Sequence, residues 1–333
     1  MTAAPPSCGL LNDTGSACHV NAVLQALAHL PDFVRTLLRS RDGEDPDPVY
    51  CEFRRVLVGL WAGIATGGRP QSPSPLLRAL APVLMRLGAG DAMSEQLDAH
   101  EVYLALADAV VDGTRKRPSL AAHLLGCTRQ LVRCSACGAT SSRSEPFTTL
   151  SLALPCGGER RQLTSLLDAH FAPEAVEGFS CDSCRRPSAP ALRICRFWEL
   201  PGVLALCVKR FDAGPGGGSC GGGGPVGGVS RAEVDAGVIG PPALLRMSAT
   251  GSPAAAAAAA GAGYELASVV CHSGSQAGGH YIACVRRPVS GEWHVHDDEK
   301  TVVVGDREDG LPDGAARTGY IYFFTASSTR NRG

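Results

Sequence analysis

Cys18 stands in the run GLLNDTGSACHVNAVLQAL, and far downstream the chain reads YELASVVCHSGSQAGGHYIACVRRPVSGEWHVHDD, which supplies His280, Asp297 and Asp298. A thiol with an ordinary pKa near 8.5 attacks poorly, because only the thiolate is a strong nucleophile, so a catalytic cysteine needs a helix N-terminus or a cationic imidazole beside it. Val20, Val23, Leu24 and Leu27 recur at helical spacing just after Cys18, which sets that cysteine at the start of a buried helix. A cysteine opening a helix, a histidine after a glycine-rich turn and a carboxylate just beyond it are the parts of a thiol protease.

A second constellation is metallic. Cys134-Ser-Ala-Cys137 and Cys181-Asp-Ser-Cys184 are paired C-x-x-C units separated by 43 residues. Two such knuckles brought together offer four thiolates in a tetrahedron, which suits a closed structural Zn2+ site and leaves no open position for a zinc hydrolase. Cys8, Cys51, Cys127, Cys156, Cys195, Cys207, Cys220, Cys271 and Cys284 lack paired spacing and default to packing or surface positions.

The elements that must position these groups follow from the pattern. Helical stretches are expected around Cys51 to Ala65, Pro75 to Leu87, Leu97 to Val111 and Thr164 to Phe171. Strand-forming runs lie between Thr128 and Leu154, between Leu192 and Phe211, and at 264–272, 280–286, 293–296, 301–304 and 320–325. AGPGGGSCGGGGPVGG within 213–230 and the alanine tract within 250–263 read as low-complexity, mobile surface insertions. With 333 residues and 44% hydrophobic composition the chain can bury a large core. Its 31 basic and 32 acidic residues, net charge −1, give no nucleic-acid or acidic-membrane footprint. No secretory leader or membrane span is read, so a reducing cytoplasmic or nuclear setting is expected, with thiols available as ligands or nucleophile.

The Cys18 block resembles the Cys box of the ubiquitin-specific proteases, G-L-x-N-x-G-x-x-C-x-x-N-x-x-L-Q. The His280 block is similar to their His box, where Y-x-L precedes H-x-G, then G-H-Y, then W followed by Asp or Asn. With EQLDAHE and the zinc pairs, the resemblance runs from about Gly9 to Phe324. It implies an α+β, papain-like cysteine protease of thumb, palm and fingers with a zinc ribbon in the fingers. A single catalytic domain over 8–328 then divides into a helical thumb (9–125), fingers (126–200) and a palm (201–328).

By position in those motifs, Cys18 is the nucleophile, His280 the base that later protonates the leaving amine, and Asp297 the residue that orients the imidazole, with Asp298 a second carboxylate. The family places an asparagine five residues before the nucleophile as an oxyanion donor. Here that place holds Asp13, so the expectation is that the extra residue bulges out and Asn12 takes the role with the Cys18 backbone N–H.

Asp98 and Glu101, three apart in a segment resembling Q-x-D-A-x-E, should share one side of a helix and hold the arginine that precedes Gly-Gly in ubiquitin-type tails. Gly274 to Gly279 reads as a lid, with Gly279 and Tyr281 narrowing the channel; Trp293, His272, His294 and His296 read as packing residues. The implied activity is a thiol isopeptidase acting on conjugates of ubiquitin or a ubiquitin-like protein. The family's compact interferon-induced member, which removes a two-domain ubiquitin-like protein, and a catalytically weak ubiquitin-binding scaffold are the other readings. A papain-like secreted protease fits neither the N-terminus nor the zinc pairs.

Overall fold

The computed structural model describes residues 8–40, 47–62, 69–112, 117–155, 159–210, 232–275, 278–288, 290–305, 311–312 and 314–327. The glycine-rich stretch 213–230, Cys156 and Cys220 lie outside the described residues. The first third is helical: α1 (Cys18–Ala28), α2 (Pro31–Arg39), α3 (Pro48–Ala62), α4 (Ser74–Arg86), α5 (Ala99–Val111) and α6 (Pro118–Leu124). Helices α2 and α6 were not among the sequence expectations. Both are short and open at a proline, which suits the first helical turn because its missing N–H is an orphan there.

Two sheets follow. Strands β1 (Gly126–Cys134), β2 (Thr140–Phe147), β5 (Glu174–Phe179) and β6 (Ala189–Glu199) form an antiparallel sheet in the order β2-β1-β6-β5. A seven-stranded sheet runs β12-β11-β10-β9-β13-β7-β3, built from β3 (Leu150–Ala153), β7 (Val203–Lys209), β9 (Gly263–Ser275), β10 (Gly278–Arg286), β11 (Trp293–Asp297), β12 (Lys300–Gly305) and β13 (Gly319–Ser327). Only β3 and β7 pair in parallel within it, so β3 belongs to this sheet although its residues fall within the span expected for the fingers. Short β4 (Arg161–Gln162) and β8 (Val234–Asp235) form a small parallel pair.

The central strands of the seven-stranded sheet, β7 and β13, are covered on both faces and read as continuous apolar runs, while the edge strand β12 exposes Val302 and Val303. Along β7, Val203, Ala205 and Cys207 face the core shared with the N-terminal helices, while Leu204, Leu206 and Val208 face the other core. Ile321 and Phe323 of β13 alternate in the same way with Tyr322 and Phe324. The second core is closed by α7 (Leu163–His170), α8 (Pro241–Met247) and α9 (Pro253–Ala259).

The last of these corrects an expectation. The alanine tract is no loose insertion: Ser252 caps α9 by accepting from the Ala255 N–H at 3.0 Å, Pro253 opens it, and Ala254 and Ala258 are buried against the second core. Alanine has the highest helix propensity, and its small side chain lets α9 pack closely on α8 and β6. Among the described residues no helix is long and apolar enough to cross a membrane.

Arg210, just past β7, is buried and donates to three backbone carbonyls, Gly319 at 2.6 Å, Ala232 at 2.9 Å and Ala316 at 3.0 Å, tying α10 (Ala315–Thr318) to the sheet. Arg210→Met strips those acceptors and should cost about 3 kcal/mol. We expect the melting temperature to fall by roughly 4 °C, measured by scanning calorimetry; an unchanged value would mean that water replaces the guanidinium freely.

Candidate active site

The first residues of the Cys18 block are held by the turn between β11 and β12. Leu10 N–H donates to the Asp298 carbonyl at 2.9 Å, and a Cβ on Gly9 would lie 2.4 Å from the Glu299 backbone, so only glycine fits beneath that turn. The Asp298 carboxylate accepts from Asn12 Nδ2 at 2.9 Å and from Asn21 Nδ2 at 2.8 Å. Asn21 also donates to the Leu11 carbonyl at 3.2 Å, and Gln25 Nε2 donates to the Cys8 carbonyl at 2.9 Å. The polar residues of α1 are thus the clamps that fasten its leading segment, which is why a helix buried on every side tolerates them.

His280 is the third residue of β10, in the hairpin with β9. Its Nε2 bonds Asp297 Oδ1 at 2.6 Å, and Asp297 closes β11, which pairs with β10 from the other side. The two meet through their side chains just beyond the last β10–β11 pair, Ala283 with His296. With Nε2–H donated to the carboxylate, Nδ1 carries the free lone pair. The imidazole and the Asp297 and Asp298 carboxylates offer atoms all within 4.8 Å of one another.

Cys18 is the first residue of α1, which packs against β10 and β9, and its side chain is buried. Burial pushes the thiol pKa above its ordinary value. The backbone of Tyr281, the residue after His280, bonds the sulfur and pulls it down, the Asp298 charge raises it, and the backbone groups of His19 and Cys18 lower it. His19, although adjacent, is buried, lowered to about 4, and binds the Ser16 carbonyl through Nδ1 at 2.7 Å.

The extra residue of the loop is absorbed in a turn. Gly15 N–H donates to the Asn12 carbonyl at 3.1 Å, with Gly15 at φ +73°, and the turn throws Asp13 outward. There the Asp13 carboxylate accepts from the Ser72 and Ser74 hydroxyls. Asn12 points inward, its Oδ1 taking the N–H of Ala17, the residue before Cys18, at 2.8 Å.

The acidic pair is placed differently from the expectation. Asp98 is not on the helix but caps α5, its Oδ1 accepting the His100 N–H at 2.8 Å while Oδ2 accepts the Tyr320 hydroxyl at 2.7 Å. The D-x-x-E spacing, the signature of a capping box, carried that signal. Glu101 lies in the first turn, its carboxyl raised by burial and by the Asp98 charge. Both nevertheless line one cleft of about 420 Å³ together with Gln96, His272, Tyr281 and Tyr320.

Gln96 and Tyr320 are lining residues that the sequence reading passed over, although Gln96 stands in the EQLDAHE segment. Gln96 Oε1 accepts the Gly279 N–H at 3.2 Å, joining the approach to α5 to the His280 hairpin. Four of the six residues of the expected lid, Gly274, Ser275, Gly278 and Gly279, are ladder residues; 276 and 277 lie outside the described residues. A Cβ on Gly279 would meet the Ser273 carbonyl and His272 Nε2 at 2.4 and 2.5 Å, so glycine here permits close strand approach. The His272 ring packs on Tyr281 at 4.3 Å, and Trp293, His294 and His296 are buried in β11.

At the tip of the smaller sheet, Cys134, Cys137, Cys181 and Cys184 bring their sulfurs within 4.8 Å of one another, with Cys134–Cys184 at 3.9 Å and Cys137–Cys181 at 3.7 Å. A tetrahedron with metal–sulfur bonds of about 2.3 Å has edges of about 3.8 Å, so the four fit one ion. Each knuckle turns through a left-handed residue, Gly138 at φ +76° and Arg185 at φ +54°.

The model of the ubiquitin carboxyl-terminal hydrolase family matches residues 8–324. The chain belongs to that family. It is 27% identical to ubiquitin carboxyl-terminal hydrolase Usp2 of Drosophila melanogaster over 95% of this chain and 34% of the relative. Against ubiquitin carboxyl-terminal hydrolase 3 of Homo sapiens it is 26% identical over 94% of this chain and 67% of the relative. A chain of the SAGA Ubp8/Sgf11/Sus1/Sgf73 DUB module bound to ubiquitin aldehyde shares the fold, with TM-score 0.74 at 21% identity over 98% of this chain and 71% of that one. The chain spans about a third of the fly protein, and 42% and 22% of the matched hydrolases of Arabidopsis thaliana and Oryza sativa subsp. japonica.

Within this candidate site the Asp298 charge disfavours the Cys18 thiolate. Asp298→Asn keeps one acceptor oxygen and removes the charge, so the Cys18 pKa should fall. We expect the pH–rate profile of Cys18 alkylation by iodoacetamide to move to lower pH; an upward shift or none would contradict this electrostatic reading.

Proposed function

We propose that this chain is a thiol isopeptidase that hydrolyses the bond between the C-terminal glycine of ubiquitin and a lysine amine. The observation that carries the reading is the His280–Asp297 bond of 2.6 Å on the strand whose next residue, Tyr281, bonds the Cys18 sulfur through its backbone at the head of a buried helix. His280 Nδ1 takes the Cys18 proton, the thiolate attacks the glycine carbonyl, and the imidazolium then protonates the departing lysine amine. Asp297 holds Nε2–H throughout and stabilises the imidazolium. Water, deprotonated by the same nitrogen, releases the thioester.

Asn12 and the Cys18 backbone N–H are the oxyanion donors in this scheme. One Asn12 proton goes to Asp298, and the second Nδ2 proton remains for the substrate oxygen. Asp298 thereby acts through the amide it orients. The cleft with Asp98 and Glu101 would take the arginine of the modifier's tail, and Gly279 and Tyr281 would border the two terminal glycines. The substrate we propose is ubiquitin, which the structural neighbours hold. No feature of the cleft favours the two-domain interferon-induced modifier. The four cysteines would hold Zn2+ as a structural ion that keeps the two knuckles together. Free thiols throughout the described cysteines suit a reducing compartment, cytoplasmic or nuclear.

Cys18→Ala should abolish hydrolysis of a ubiquitin–lysine isopeptide substrate, and Asn12→Ala should lower kcat by about 100-fold or more with little change in KM. Undiminished turnover by Asn12→Ala would remove Asn12 from the oxyanion site, and a fully active Cys18→Ala would end the thiol mechanism. Elemental analysis should find one zinc per chain, lost in Cys181→Ala together with several degrees of melting temperature. A chain that folds and melts identically without metal would contradict the structural assignment.

A further inference from the structure

The strap that precedes α4 carries two consecutive Ser-Pro steps, Gln71-Ser72-Pro73-Ser74-Pro75, and it lies directly on the Cys18 loop. Gln71 N–H donates to the Gly9 carbonyl at 3.3 Å and Leu11 N–H to the Gln71 carbonyl at 2.8 Å, so the strap forms a parallel bridge with the leading segment of the Cys18 block. Both serines are half-buried, and both hydroxyls converge on one carboxylate oxygen, Asp13 Oδ2, the bond from Ser74 measuring 3.2 Å. Asp13 is itself exposed and is the residue that the extra position of the loop turns outward. Its chain neighbour Asn12 bonds Asp298 and the Ala17 N–H.

We propose that Ser72 and Ser74 are acceptor sites for a proline-directed protein kinase, and that phosphate on either one disables the loop that carries Asn12. The step moves the terminal phosphoryl group of a nucleoside triphosphate to the serine Oγ. The bond to the leaving diphosphate breaks, a new P–O bond forms, and the hydroxyl proton passes to the kinase base. The product carries a charge of about −1.5 to −2 where a neutral hydroxyl had donated to Asp13.

That exchange has two consequences at the same place. One of the two hydroxyl donors to Asp13 is gone, and a dianion faces the carboxylate at contact distance. On Ser74, the first residue of α4, the phosphate is in addition favoured by the positive end of the helix dipole. Asp13 is therefore the group that leaves, and the turn from Asn12 to Gly15 opens with it. The inference rests on the proposed hydrolase reading of the site, whose regulation it supplies.

The test uses the full chain with phosphoserine encoded at 72 or at 74, alongside unmodified chain treated with a proline-directed kinase and magnesium ATP. Mass spectrometry should find phosphate at Ser72 or Ser74, absent from the S72A/S74A double variant. The encoded phosphoserine should lower kcat/KM for a ubiquitin–lysine substrate tenfold or more. In an Asp13→Asn background, where the amide still accepts from a hydroxyl but carries no charge, the loss should shrink to within threefold. Failure of the kinase to modify either serine, or an encoded phosphoserine chain as active as the unmodified one, overturns the proposal. An inert unmodified chain would instead count against the hydrolase reading. In that case amide hydrogen exchange at residues 12–17 decides the switch, with faster exchange on phosphorylation supporting it and unchanged exchange overturning it.

Discussion

The candidate site depends on one attachment, the docking of residues 9–12 onto the β11–β12 turn through Asp298. That residue sits at φ +50°, in the left-handed region that asparagine and aspartate enter more readily than bulkier residues. Its carbonyl takes Leu10, and its carboxylate takes Asn12 and Asn21. Two parts of the chain separated by most of its length are joined by three hydrogen bonds and a glycine contact. The same carboxylate opposes ionisation of Cys18, so the group that assembles the candidate site also works against its proposed nucleophile. Helix position and the Tyr281 backbone work the other way.

The remainder of the fold makes that attachment rigid. Helix α1 is buried along its whole length and packs on β10, so Cys18 and His280 sit on two elements of one core. The central strands of the seven-stranded sheet are packed on both faces, and His280 on β10 and Asp297 at the end of neighbouring β11 bond through their side chains. The zinc-type cluster lies at the tip of the other sheet, consistent with a role in shape rather than in chemistry.

Much of this was legible because single residue types carried the signal. Gly9 and the two C-x-x-C pairs hold places that few other residues could fill, and the motifs around Cys18 and His280 carried the fold class and the family. Helices α3, α4, α5 and α7 lay within a few residues of the expected spans because each shows apolar periodicity. The alanine tract misled because composition alone does not distinguish a flexible run from a capped helix that packs through methyl groups. Asp98 and Glu101 misled because three-residue spacing fits both a helical pair and a cap with its N3 partner, and only the Tyr320 hydroxyl, far away in sequence, decides where Asp98 sits. The place of β3 was likewise hidden, since parallel pairing with β7 is a long-range choice. Asp298 and the Ala17 N–H hold Asn12 inward while the Ser72 and Ser74 hydroxyls hold Asp13 outward, partners that spacing around Cys18 could not reveal.

The central claim, that Cys18 is a nucleophile aimed at the end of a ubiquitin tail, is tested most directly by a crystal structure of the chain reacted with ubiquitin bearing a C-terminal electrophile. The account predicts a single covalent bond to Cys18 Sγ, with the tail lying in the cleft between Asp98 and Tyr281 and the glycine oxygen facing Asn12. A chain that stays unmodified under conditions where iodoacetamide alkylates Cys18, or an adduct formed on another cysteine, would contradict it.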